Sequence, residues 1–76
     1  MRRVVSLPDG SHDTVQALQH LLEQAQRGEI IGIAFAAACR RRRVLLDTTG
    51  EAWRNPTYAR GMVAALDDAI GIRMRE

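Results

Sequence analysis

Hydrophobic positions follow two different rhythms along this 76-residue chain. Between Ser11 and Arg27, Val15, Leu18, Leu21, Leu22 and Ala25 recur at helical spacing, and Gln16, Gln19, Glu23, Gln24 and Gln26 fill the remaining positions. The pattern predicts an amphipathic helix over 11–27. Ser11 or Asp13 serves as N-cap, and Asp13 with Gln16 has capping-box spacing. Gly28 is the expected stop, with Arg27 favourably placed at the negative helix end. The same period returns over 55–70, where Ala59, Met62, Val63, Leu66, Ala69 and Ile70 form a stripe. Asn55 is its N-cap and Pro56 its first residue. Gly61 inside it costs roughly 1 kcal/mol relative to Ala, a cost usually accepted for close helix packing. Gly71 is expected to end this helix, leaving 71–76 as a charged tail.

The middle third has another rhythm. Gly28 to Cys39 reads GEIIGIAFAAAC and Val44 to Thr49 reads VLLDTT. The alanines favour helix, but Ile30, Ile31, Ile33 and Phe35 favour strand, and Gly28 and Gly32 fit badly in a helix interior. Strands over 29–39 and 43–53 therefore form a β-hairpin whose tip is Arg40–Arg43. The tip has no Gly, Asn or Asp for a primed two-residue turn, so a four-residue loop on a type I turn is expected, with Cys39 opposite Val44. In that register Ile31, Ile33, Phe35, Ala37 and Cys39 share a core-facing side with Val44, Leu46, Thr48, Gly50 and Ala52. The other side is shallow: Ile30, Gly32, Ala34, Ala36 and Ala38 with Leu45, Asp47, Thr49, Glu51 and Trp53. A bulge near Gly50 would move Trp53 across.

These elements make one α+β domain over 1–76: a two-layer α-β-β-α arrangement, a central hairpin with both helices on one face. Met1–Gly10 (MRRVVSLPDG) is read as a short N-terminal edge strand or as an arm on a neighbouring chain, ended by Pro8. A two-stranded sheet is marginal alone and has two open edges. A second copy would extend or cover it, so a homodimer is expected.

Composition bounds the function. Hydrophobic content of 46% with 26% charged residues marks a globular chain, close to the size where one core is only marginally sufficient. One cysteine excludes an internal disulfide framework. No signal peptide or apolar run of spanning length is visible, so a cytoplasmic protein without membrane association is expected. The net charge is +2 and every basic residue is arginine. Only Arg40, Arg41, Arg42 and Arg43 cluster, a candidate phosphate contact for nucleic acid, with Arg2 and Arg3 as possible neighbours; no aromatic residues interleave for base stacking.

No catalytic constellation stands out, and no cofactor or metal is predicted. His12 and His20 are more than two helical turns apart without a Cys or acidic ligand at metal spacing. Cys39 lies beside positive charge, but is read as a small buried residue at a strand end. Asp47 and Glu51 fall on one strand face about 13 Å apart, too far to work on one bond. Asp67 and Asp68 point to different sides of their helix. For partner binding the candidates are Trp53, as a rim hot spot, with Ala34 and Ala36 on the shallow face; capping the core is the alternative role for Trp53.

The capped helix, the QRGEIIGIAFAA strand, the Trp after the second arm and the C-terminal helix with Gly61 resemble a group of small phage and prophage proteins of unknown function. The resemblance covers Asp13 to about Ile72, and Arg27-Gly28-Glu29-Ile30-Ile31-Gly32 is its most specific piece. Those proteins usually carry a Gly-containing hairpin turn where this chain has four arginines. The resemblance implies no activity. The sequence thus leads to a non-enzymatic, homodimeric protein-interaction module, with weak sequence-independent nucleic-acid binding through the arginine tip as the alternative.

Overall fold

The computed structural model describes residues 12–76. The arm over 1–10, Ser11 as a cap, and Arg2 and Arg3 lie outside the described residues. The described residues fall into two compact units, 12–31 and 32–76. In order, the elements are helix α1 (Thr14–Gln26), strands β1 (Gly32–Cys39) and β2 (Arg43–Gly50), a single helical turn α2 (Glu51–Arg54), and helix α3 (Pro56–Met74). This is a small α+β protein in the order helix, strand, strand, helix.

In the first unit, Asp13 is the N-cap: its Oδ2 accepts from the Gln16 N–H at 2.9 Å. α1 stops where the sequence places its stop. Gly28 adopts φ +80°, the left-handed conformation that a Cβ disfavours, and its N–H donates to the Ala25 carbonyl. The Glu29 N–H reaches back to the Gln24 carbonyl at 3.0 Å, which satisfies another of the last carbonyls.

In the second unit, β1 and β2 form a two-stranded antiparallel sheet. Its register differs from the expected one by a single residue: Cys39 pairs with Arg43, and the tip is the three residues Arg40–Arg42. Arg41 and Arg42 both take left-handed backbone conformations, φ 64° and 58°. Two such residues close the turn one residue sooner than a type I turn, and no residue type at the tip signals this.

The shift moves every β2 side chain to the opposite face. Phe35 pairs with Asp47, Ile33 with Thr49 and Ala37 with Leu45, so these share one face. Val44, Leu46 and Thr48 pair with Ala38, Ala36 and Ala34. The face read as shallow and partly acidic is therefore alanine opposite leucine and valine. Cys39, expected to be buried, is exposed, because the last ladder pair puts it beside the tip.

β2 also ends earlier than expected. At Gly50 the chain turns through φ 56°, ψ −130°, a conformation open essentially only to glycine. Residues 51–54, read as strand, instead form α2. Its backbone crosses Gly32 so closely that a Cβ there would lie 2.7 Å from the Ala52 nitrogen and 2.8 Å from that of Glu51. Ala52 is in turn 2% exposed.

α3 begins as expected. The Asn55 Oδ1 accepts from the Tyr58 N–H at 3.1 Å, and Pro56 occupies the first turn. It continues past Gly71 to Met74. Gly71 is a poor helix former but no obstacle, and neither proline nor a left-handed residue follows it. Among the described residues, the buried apolar side chains are Ala52 and Ala59.

Candidate interaction surface

β2, α2 and α3 enclose an open groove of about 910 Å³. Thr48 contributes from the hairpin and Ala52 and Trp53 from α2, while Pro56, Ala59, Arg60 and Val63 come from α3, with Ala64 and Asp67 at its far end. Each side chain is there for a local reason. The turn at Gly50 folds α2 back over Gly32, which fixes Trp53 beside the start of α3. The Asn55 cap and Pro56 then launch α3 in a single direction. Apart from Thr48, Arg60 and Asp67, the lining is apolar.

Trp53 is 69% exposed. It does not cap the core; the small Ala52 takes that position, and the indole forms one wall of the groove. Thr48 belongs to the hairpin face that carries Ala34 and Ala36. Along the same face Val44 and Leu46 are 62% and 67% exposed. Thr48 thus links the groove to this sheet face: Trp53 lines the groove, while Ala34 and Ala36 lie on the sheet face and are not among the groove's lining residues. Sequence reasoning missed Thr48 and Leu46 as members, because the register was off by one. It also missed Arg60 and Asp67, although neither has an opposite charge three or four residues away on its helix, and that is readable from the sequence.

The other candidates are placed apart. Arg40–Arg43 are all exposed at the hairpin tip. The Cys39 thiol donates to the Ala37 carbonyl at 3.7 Å, with no base beside it among the described residues. Asp47 stands on the Phe35 face, where its Oδ1 accepts the Thr48 N–H at 2.8 Å. Glu51 has left the strand for α2 and pairs with Arg54 at 3.5 Å; an exposed pair of this kind contributes little to stability. The two carboxylates do not converge. His12 is exposed ahead of α1 and His20 lies within it. Among the described residues no group of three or more His, Cys, Asp or Glu is arranged to hold a metal. Nor is any described helix long and apolar enough to cross a membrane.

The chain matches no protein family, no curated protein and no solved structure. The surface itself carries the functional argument.

Proposed function

We propose that this protein is a non-enzymatic interaction module that acts as a homodimer, its apolar surface around the groove and hairpin covered by another copy. One observation carries the reading. The buried apolar side chains of the second unit are two alanines, while Val44, Leu46, Trp53 and Val63, on the groove and the sheet face that Thr48 joins to it, are each more than half exposed. Burying a large apolar side chain fully is worth about 1.5–3 kcal/mol, so most of that stabilisation is unused in the single chain. A small domain with so little core gains stability readily from oligomerisation. A phage or prophage origin is part of this reading and rests only on the sequence resemblance, which implies no activity. Light scattering or sedimentation across the micromolar range tests the proposal: the expected mass is twice that of one chain, and a monomer throughout that range overturns it.

A second reading is sequence-independent contact with nucleic-acid phosphates through Arg40–Arg43. Its support is four consecutive exposed arginines at the hairpin end, with Arg41 and Arg42 in left-handed backbone conformations that close them into a tight turn. Generic duplex and single-stranded probes titrated with salt give the test. Binding that weakens steeply with salt and disappears when all four arginines become serine supports this reading; no binding at low salt removes it.

A further inference from the structure

Building on the homodimer reading above, we infer that the second copy seats in the groove helix against helix. In this arrangement α3 packs antiparallel on α3 of the partner subunit about a twofold axis at Val63 and Ala64. Arg60 pairs with the partner's Asp67, and the reciprocal pair closes the other end.

Two charges on α3 lack complements among the described residues. Pro56, Arg60, Val63, Ala64 and Asp67 line the groove from α3, and their spacing puts them on a single stripe of the helix. Three and four residues from Arg60 stand Thr57, Pro56, Val63 and Ala64; around Asp67 stand Ala64, Val63, Ile70 and Gly71. None is charged. The two residues are themselves about 10.5 Å apart along the helix axis, too far to pair with each other. The ion pair found among the described residues, Arg54 with Glu51, involves neither. One cation and one anion therefore flank an apolar stripe, with no opposite charge of their own among the described residues.

Their placement selects the occupant. Arg60 and Asp67 are symmetric about the midpoint between Val63 and Ala64. A twofold axis there carries each onto the other's sign, which is the self-complementarity an isologous interface requires. An unrelated peptide would need only an acid opposite Arg60 and a base opposite Asp67; a second copy supplies both by symmetry.

Sterics agree. The same operation sets Pro56 opposite the partner's Gly71, where a Cβ would meet nothing within 4 Å, and Ala64 at the axis lets the backbones approach. Trp53 at the N-terminal rim then faces the C-terminal end of the partner helix. There Met74 is 80% exposed, a sulfur within reach of an indole that lacks cover in the single chain.

Charge-reversed pairs test the geometry. Arg60→Glu alone sets two acids opposite each other at both ends of the interface, and Asp67→Arg alone sets two bases. Each is expected to weaken self-association roughly tenfold or more. An equimolar mixture of the two variants restores complementary pairs at both ends and is expected to form a heterodimer at wild-type affinity. Both positions are exposed, so the fold tolerates the changes, and recovery in the mixture would itself show that both variants are folded. The emission of Trp53, the only tryptophan, gives a second readout and shifts to shorter wavelength on association. A monomeric wild type overturns the homodimer and this interface together. A wild-type dimer that neither reversal weakens overturns the interface alone. Weakened single variants that fail to recover on mixing overturn the antiparallel pairing.

Discussion

Gly32 lies beneath the first turn of α2, with its Cα so near the chain that an added Cβ would stand 2.7 Å from the backbone nitrogen of Ala52. Backbone atoms also bound it at 2.8 and 2.9 Å, at the Glu51 nitrogen and the Thr49 carbonyl. None of these is the end of a flexible side chain that could move aside. Gly32→Ala is therefore expected to cost about 2–3 kcal/mol, the range of an overpacked core. Urea denaturation measures it; a cost under half a kcal/mol would mean that α2 does not cross β1 at this point.

Gly50 is the second hinge of the same crossing. Its φ of 56° with ψ of −130° is closed to residues with a Cβ, and Gly50→Ala should lose about 1–3 kcal/mol. Since the turn also sets Trp53 against α3, the variant should show a changed Trp53 emission even where it remains folded.

At the hairpin tip the prediction has the opposite sign. Arg41 holds φ 64° and ψ 31°, a left-handed conformation that costs a residue with a Cβ roughly 1–2 kcal/mol. Asparagine tolerates it better without adding the backbone freedom of glycine to the unfolded chain. Arg41→Asn is expected to raise stability by about 0.5–1 kcal/mol, read as a higher denaturation midpoint. A loss instead would mean that the arginine side chain makes a contact stronger than the strain.

Asn55→Ala removes the acceptor that satisfies the Tyr58 N–H and should cost about 1 kcal/mol, whereas Asn55→Asp should be close to neutral. Circular dichroism melts of the two variants distinguish loss of the cap from loss of any other Asn55 contact.

Trp53→Ala separates folding from association. The indole is largely exposed, so the single chain should lose little, while a dimer that buries it should weaken markedly. The thermal midpoint of the wild type should rise with protein concentration, and in Trp53→Ala that dependence should flatten.

Much of the fold was legible because it rests on local chemistry. Asp13, Gly28, Asn55 and Pro56 each act within one helical turn, and each does what its residue type prescribes. The hairpin too is readable, from the β-branched run before the tip. The register was not, because it depends on loop length, and loop length here depends on two arginines in a conformation arginine does not advertise. One residue of error exchanged Val44, Leu46 and Thr48 for Leu45, Asp47 and Thr49, and with them the nature of the face carrying Ala34 and Ala36.

By itself, then, the order of amino acids determined where α1 and α3 begin, where the first one stops, and that the centre is extended and doubled back. Such features are set by side chains acting on their own backbone within a few residues. Only the tertiary structure decided that the chain turns back at Gly50, that Trp53 walls a groove with α3, and that Arg60 and Asp67, unpaired among the described residues, flank that groove. Those depend on which distant backbones come close enough to exclude a Cβ, and no spacing along the chain records that distance.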